Sequence, residues 1–558
     1  MIVEQRLERI GPFVYPHFAP ALPALRDGTD ARRHAVAIVG GGPVGLAVAL
    51  GLARFGVASV IIEADDSVCM GSRACCISRR SLEILERLGA LDAFLAKGLP
   101  WTDGRSFYGT TEVFHFSMPH DAQQKLPPMI NLQQYYIEQF LVDAVARVNR
   151  QTPGLIDMRW ASQVDALRAG GDGVSLSVTN AVGRYQLDAR WVVACDGGQS
   201  FVRKELGLPM RGTAYEGRYV IIDIELPSTH PTERRAWFDP PWNRGSTVLM
   251  HRQPDNLWRI DYQLRHGEDT ETALQPEQVT RFVQRHLDAI GEGHLAWKPV
   301  WTSIYRAGAM TLEAYRHGRV LFAGNAAHAM PIFGVRGLNS GFEDADNLAW
   351  KLAWVLEGRA PVALLDTYTD ERVQAFHVNA QSAQRSTEFM SPPSRGFDLF
   401  REAVLSLAQE HRDIANVINP RQTQAIAYLD SALSSPSDAF ACGPEPGAAL
   451  LDVPLAGGPA QYLVETLGPR FTCFVFGNSG TAPPDVETFA RSADRDVKVV
   501  RVADASALRA YDAAQGAVVL VRPDGHVAGR WRRPSEATLR TALARAGGNA
   551  LPTPGADR

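Results

Sequence analysis

Gly40-Gly41-Gly42-Pro43-Val44-Gly45 places three glycines at a GxGxxG spacing, between a short apolar run and an apolar-periodic stretch. Such a turn can wrap a pyrophosphate. Gly40 permits the tight bend, Gly42 lets the backbone approach the phosphates, and Gly45 lets the following helix pack on a sheet. The helix start then offers unpaired N–H groups and partial positive charge. Glu63 ends the next apolar run, 18 residues after Gly45, where a carboxylate can accept hydrogen bonds from adenosine ribose hydroxyls. The expected chemistry is dinucleotide binding.

Two further stretches belong with the first. One is Cys195-Asp196-Gly197-Gly198-Gln199-Ser200-Phe201-Val202-Arg203, after the apolar run at 191–194. The other is Gly324-Asn325-Ala326-Ala327-His328, followed by Pro331 and Gly337-Leu338-Asn339-Ser340-Gly341 and continuing through Asp344 to Leu352. With these in place the chain resembles the class A flavoprotein aromatic hydroxylases, of p-hydroxybenzoate-hydroxylase fold. Trp237-Phe238-Asp239-Pro240-Pro241 and the run 257–262 are most similar to the phenol and 3-hydroxyphenylpropionate hydroxylase branch, and the C-terminal unit resembles the thioredoxin-like tail of many such hydroxylases. The resemblance covers about residues 35–375 and, more weakly, the C-terminal unit.

The resemblance implies FAD, held non-covalently, with NADPH or NADH as transient electron donor. It implies oxygen transfer to a phenolic or related ring through a flavin C4a-hydroperoxide. The cofactor carries that chemistry, and the protein orients the ring and excludes water. The positions it assigns to the cofactor are Gly40, Gly42, Pro43, Val44, Gly45, Glu63, Ala64, Arg73, Gln134, Asp196, Gly324, Asn325, Pro331, Gly337, Leu338 and Asn339. A helix starting near Asn339 would aim its positive end at the flavin pyrimidine ring, where the reduced form carries negative charge.

The chain departs from the family pattern at three places. Asn325 replaces the usual aspartate, and its amide oxygen can still accept from a ribityl hydroxyl. Ile332 replaces a second proline, and Val335-Arg336 replaces a common Gly-Gln. Arg336 is expected to add positive charge near the flavin or an anionic substrate, although a solvated loop arginine would look the same in sequence.

The substrate pocket is less legible. Trp237, Ile332, Phe333, Arg336 and Arg252 are its candidate lining residues, and His251 and Tyr262 the candidate catalytic side chains. A phenol hydroxylase benefits from a group that helps deprotonate the ring hydroxyl. Strand alternation over 257–262 sets Trp258, Ile260 and Tyr262 on one face and Arg259 and Asp261 on the other, and either face could point inward. Each of these side chains could equally be an ordinary buried group.

These residues must be positioned by a strand–turn–helix–strand unit at 35–62, further buried strands at 191–194 and 320–323, and a long helix from about 341. The fold class expected is α/β: a glutathione-reductase-type FAD-binding domain with an inserted, mostly antiparallel β-sheet substrate domain, plus a C-terminal thioredoxin-like α/β domain. The divisions fall at an irregular N-terminal extension (1–33), the FAD-binding domain in two parts (34–209 and 307–400), the substrate sheet (210–306), a helical linker region (401–440) and the thioredoxin-like unit (441–552). The last is marked by Arg522-Pro523-Asp524-Gly525, and its loop at 477–481 has no cysteine pair. Thiol–disulfide chemistry is therefore not expected of it.

Composition agrees. The 558 residues are 45% hydrophobic and 21% charged, with 57 basic against 61 acidic side chains. That balance points away from nucleic acid. No apolar run approaches a membrane span, no leader pattern is evident, and the 14 histidines show no metal-ligand spacing. Six irregularly spaced cysteines fit reduced thiols in a cytoplasmic protein. The expected partners are a small aromatic molecule and molecular oxygen, with a homodimer possible and no metal. Epoxidation or Baeyer–Villiger insertion on a polyketide-like substrate, a flavin oxidase or reductase, and a non-catalytic flavoprotein scaffold are the alternatives.

Overall fold

The structure is a computed structural model. It describes residues 8–551 except 72, 121–123, 266, 332, 420–421, 457–458, 478–482, 494 and 550, with the backbone alone at 214–216 and 307.

Strands Ile156–Arg159, Ser59–Ile62 and His34–Val39 and the C-terminal half of Gly183–Ala194 lie side by side in parallel, and Val320–Phe322 joins beyond. Val36, Ile38, Val60, Ile61, Val192 and Val193 are fully buried, as expected of parallel strands covered on both faces. Gly183–Ala194 is long enough to serve two sheets. Its first half pairs antiparallel with Val174–Asn180 and starts a meander away from the parallel core. Helices Pro43–Ala53 and Gly337–Leu356 cross at small residues: a Cβ on Gly51 would lie 2.7 Å from Ala349 Cβ, and one on Gly341 2.5 Å from Val44. This close approach brings both helix N-termini to one crevice at the strand ends.

The second sheet has eight strands, in the order Thr111–Ser117, Asp103–Tyr108, Arg234–Phe238, Thr247–Arg252, Leu257–Gln263, Arg211–Glu225, Lys298–Thr311 and His328–Ala329. An inserted, mostly antiparallel sheet is present. It is wider than the sequence reading, because Asp103–Tyr108 enters it by parallel pairing with Arg234–Phe238. One face packs on helix Pro276–Ala289 through Trp258, Ile260, Val279 and Val283. The other covers the crevice.

The N-terminal extension is tied down. Phe13 meets the rings of Tyr135 and Tyr136 at 4.7 and 4.9 Å, and the Tyr15 hydroxyl accepts from the Gly71 N–H. Part of the expected linker region, 401–440, is also packed. Leu433 is buried and the Ser435 N–H donates to the Ala528 carbonyl at 2.7 Å.

The C-terminal unit is a four-stranded sheet, in the order Val497–Val502, Phe471–Phe476, Ala517–Val521 and Val527–Trp531, with helix Glu536–Ala546 against it. It joins the first domain through buried charge. Glu371 accepts two hydrogen bonds from Arg522 (2.6 and 3.0 Å), one from Lys351 (2.7 Å) and one from Asn347 (2.7 Å). Asp524 accepts from the Trp350 indole, and its carbonyl accepts from Arg80.

Candidate active site

A cavity of about 890 Å³ runs from the GxGxxG turn to the inner face of the second sheet. Of the residues assigned to the cofactor, Gly40, Gly42, Pro43, Val44, Glu63, Ala64, Arg73, Gln134, Asp196, Gly324, Asn325, Pro331, Gly337 and Leu338 line it.

The turn is built as its glycines require. Gly40 sits at φ +103°, and a Cβ there would lie 2.5 Å from the Cys195 carbonyl oxygen. Gly42 has nothing within 4 Å of where its Cβ would be, so its backbone lies open. Pro43 opens the helix at a position that needs no N–H donor. Glu63 accepts from the Gly41 and Asp65 N–H groups at the end of Ser59–Ile62. Opposite, Asn325 is exposed on a turn that Asp344 holds rigid. The Asp344 carboxylate accepts from the Gly324 N–H (2.9 Å), His328 (2.7 Å) and Arg372 (2.7 Å). Despite burial, the His328 and Arg372 charges and these hydrogen bonds hold it down to about 2.

Several assigned side chains also brace the scaffold. Asp196 accepts from the Ser200 hydroxyl and the Val202 N–H, capping the short helix after it. Gln134 accepts from the Ala74 N–H and donates to Glu138, which accepts from the Cys69 N–H. Gly45 and Asn339 lie behind the cavity wall. A Cβ on Gly45 would stand 2.0 Å from the Gly40 carbonyl oxygen. The Asn339 amide is fully used: it accepts from the Ser78 N–H and Ser81 hydroxyl and donates to the Cys76 and Val335 carbonyls. It fixes the start of the long helix, whose first-turn N–H groups lack upstream acceptors.

This donor set fits FAD: open glycine backbone and a helix start for the pyrophosphate, Glu63 for the ribose, the Asn325 amide for a ribityl hydroxyl, and a second helix start for the ring system. Burial pushes the Glu63 carboxyl up to about 7, against its two backbone donors. The cofactor-free fold thus holds a proton that the unfolded chain releases near 4.5, and this group's contribution to its stability falls as pH rises from 4.5 to 7. Ribose hydroxyls donating to the ionised carboxylate bind better over the same window. FAD affinity is expected to rise up to about tenfold from pH 6 to pH 8. Glu63→Gln is expected to flatten the curve in a fluorescence-quench titration, and unchanged pH dependence in that variant would remove Glu63 from ribose binding.

On the sheet side, cross-strand register sets Arg234, His251 and Arg259 in one row and Leu249 and Asp261 in the next. All five line the cavity, with Trp301, Tyr305, Cys75, Cys76 and Arg336. Arg259 is paired, donating to Asp261 at 3.0 Å and to the Arg73 carbonyl and Cys75 thiol. The Cys75 and Cys76 sulfurs are 3.8 Å apart. The Cys76 thiol and the Arg259 charge draw Cys75 down to about 7 against burial. His251 is 4% exposed, and its buried Nδ1 has no hydrogen-bond partner among the described residues. Burial, then Arg234 and Arg259, hold its pKa well below the usual range, so it is neutral.

Of the pocket candidates, His251 and Arg336 reach the cavity. Tyr262 does not. Its ring stacks at 4.0 Å on Phe282 of Pro276–Ala289, the helix that covers its face of the strand. Trp237 is on that same outer face, stacked on Phe107. Arg252 donates to the His230 carbonyl beside the Trp258 ring. Phe333 packs edge-on against Tyr219 in an apolar cluster behind the wall. Ile332 lies outside the described residues. Sequence reasoning passed over Arg234 and the inward roles of Arg259 and Asp261. The period of two carried the Arg259–Asp261 signal, without saying which face was covered by what.

A parallel-stranded nucleotide domain whose crevice is roofed by a large antiparallel sheet, with two helix starts and a distal carboxylate on the cavity, defines a flavin-binding protein. The chain belongs to the FAD binding domain family, whose model matches residues 33–383, and residues 443–550 match the family described as aromatic-ring hydroxylase, C-terminal. It is 29% identical over 370 residues to the 3-(3-hydroxy-phenyl)propionate/3-hydroxycinnamic acid hydroxylase of Escherichia coli (strain K12 / DH10B). That match covers 66% of this chain and 64% of the relative, short of two thirds of the latter's length. The protein of the same description from Klebsiella pneumoniae (strain 342) is 28% identical over 523 residues, 88% of this chain and 91% of that one. Among solved structures, the flavin-dependent monooxygenase PieE in complex with FAD and substrate has the same fold, with a TM-score of 0.78 at 23% identity over 93% of this chain and 99% of that one.

Proposed function

We propose that the protein is an FAD-dependent, NAD(P)H-consuming monooxygenase that hydroxylates a phenolic ring. In balance, the ring gains one oxygen atom from dioxygen, the other leaves as water, and the nicotinamide supplies two electrons. When bound, FAD supplies the electron transfer and the activated oxygen. The protein's part is to hold the ring, exclude water and manage the phenolic proton.

One observation carries this reading: the neutral imidazole of His251 lines the cavity, in one cross-strand row with Arg234 and Arg259. A neutral imidazole can accept a phenol O–H, which makes the ring more electron-rich. The relatives' names, which specify hydroxy-phenyl acids, agree with such a ring. The six cysteines are free thiols, as a reducing compartment allows, and we place the enzyme in the cytoplasm. Among the described residues no helix is long and apolar enough to cross a membrane.

The test follows NAD(P)H oxidation by FAD-loaded protein with a panel of phenols and identifies products by mass. Phenol-stimulated oxidation with a gain of one oxygen is expected. Oxidation yielding hydrogen peroxide alone with every phenol would overturn the reading. His251→Leu is expected to lower the rate of ring hydroxylation by about 10²-fold and divert electrons to peroxide. Full coupling in that variant would take His251 out of the chemistry.

A further inference from the structure

We propose that Cys75 and Cys76 form a redox modification site in the cavity wall: hydrogen peroxide oxidises the adjacent thiols to a reversible disulfide, and the closed bridge weakens FAD binding. The inference goes beyond the hydroxylase reading and does not need it, because the oxidant can be supplied directly.

Both residues line the cavity, with Arg73 and Ala74 just before them in the chain and Arg234 and Arg259 on the roofing sheet. Cys75 is half-buried and Cys76 buried, and their sulfurs stand 3.8 Å apart. The Arg259 guanidinium donates to the Cys75 sulfur at 3.3 Å. The Cys76 thiol donates to the Asn131 Oδ1 at 3.1 Å. One sulfur is thus an acceptor beside a cation, and the other a donor that keeps its proton. The Cys76 hydrogen bond and the Arg259 charge draw Cys75 down to about 7, while hydrogen bonding to Cys75 and burial push Cys76 up. Cys69 and Cys195 line the same cavity, but burial and nearby carboxylates push both up. Reactive cysteines sit in electropositive, partly exposed surroundings, and redox-sensing ones stand beside a resolving thiol.

The chemistry balances within the pair and the oxidant. The Cys75 thiolate attacks one peroxide oxygen and the O–O bond breaks, giving a sulfenic acid and a hydroxide that takes up a proton as water. Cys76 then gives up its proton and attacks the Cys75 sulfur. The S–S bond forms, the S–O bond breaks, and the oxygen leaves as a second water. The two thiols lose two electrons, and one peroxide is reduced. Adjacent Cα atoms are about 3.8 Å apart. Ordinary disulfides span at least roughly 4.4 Å, so this bridge is strained and easily reduced. Closing it draws the sulfurs from 3.8 Å to about 2.0 Å. Cys75 then leaves Arg259, which also holds the Arg73 carbonyl. The peptide between the two cysteines must turn against the Leu132 N–H that its carbonyl accepts. The Cys76 carbonyl is one of the points where Asn339 pins the start of the long helix. The cofactor side of the wall moves with it.

The experiment treats FAD-loaded protein with a small excess of hydrogen peroxide, stops the reaction with catalase, alkylates free thiols and digests with trypsin. Residues 74–79, between Arg73 and Arg79, leave as one peptide carrying both cysteines. That peptide is expected to lose both alkylation sites and two hydrogen atoms of mass, ahead of any change at Cys69 or Cys195, and to regain them in dithiothreitol. In Cys76→Ser the sulfenic acid on Cys75 is expected to persist and take a dimedone adduct. In Cys75→Ser, Cys76 is expected to stay reduced. Oxidised wild type is expected to bind FAD about tenfold more weakly in a fluorescence titration, recovering on reduction. Cys75→Ser is expected to show the same FAD affinity before and after peroxide. A peptide that stays fully alkylated, or goes to sulfinic acid with no bridge, would overturn the inference. So would a bridge that leaves FAD affinity unchanged, or an equal loss of FAD on peroxide treatment of Cys75→Ser. Should neither variant fold, the wild-type peptide map and titration still decide. A bridge in a protein that oxygenates no phenol would sink the hydroxylase reading and leave the redox site standing.

Discussion

Gly45→Ala is expected to yield protein that purifies without bound FAD and takes up added FAD at least 100-fold more weakly. The added Cβ would stand 2.0 Å from the Gly40 carbonyl oxygen and 3.3 Å from Ile38 Cγ2. The first distance is far inside van der Waals contact, so helix or turn must move. The turn cannot yield, because the Cys195 carbonyl backs Gly40. The helix must then back away and take its N-terminal N–H groups with it. A displacement of about 1 Å in a positioned group costs on the order of 10²-fold. The ratio of flavin to protein absorbance after purification, with a fluorescence titration, reads the effect. Gly171→Ala is the control, since its Cβ would meet nothing within 4 Å, in a turn well away from the helix. Wild-type FAD content in Gly45→Ala would mean that the pyrophosphate does not lie at this helix start.

The second large effect is on stability. Glu371→Gln is expected to lower unfolding free energy by about 3–5 kcal/mol, the range for removing one partner from a buried ion pair. Glu371, Arg522 and Lys351 are at most 1% exposed, and Glu371 answers both cations. The substitution leaves Lys351 without a counter-charge and Arg522 with Asp524 alone. Adding Lys351→Met is expected to return part of the loss, because it removes a buried cation that has lost its ion-pair partner. Calorimetry with limited proteolysis checks both. An unshifted melting temperature in the single variant would show that the network contributes nothing net. Acid probes the same groups. Despite burial, Arg522 and Lys351 hold the Glu371 carboxyl far below its ordinary 4.5, and Asp344 is held at about 2. Depressed carboxylates contribute stability that is full above their unfolded values and lost as pH falls. Unfolding is therefore expected as pH drops from about 4.5 toward 2.

The cofactor half of the cavity was legible because its constraints act on single positions. Gly40 and Gly45 are forced by contacts of 2.5 and 2.0 Å that no other residue avoids, so the spacing alone identifies them. Asn339 shows the limit of that logic. Its amide is spent pinning one helix to the strand Cys76–Ser78. The substrate half depends on what covers each face of a sheet, which local pattern does not encode. Tyr262 and Arg259 stood equally well in the alternation, and the helix Pro276–Ala289 decided between them.

The roofing sheet also has a history in time. Asp103–Tyr108 finds Thr111–Ser117 at once, through a two-residue turn, and so one of its edges is covered early. Its other edge waits for Arg234–Phe238, about 130 residues later. At roughly 5–20 residues per second, the ribosome needs about 7–26 s to deliver that partner. For that interval the nascent chain presents an unpaired strand edge, with Phe107 awaiting the Trp237 ring. The hairpin is the segment on which a holding chaperone, or a slower synthesis temperature, bears most directly on how much of this protein reaches its finished shape.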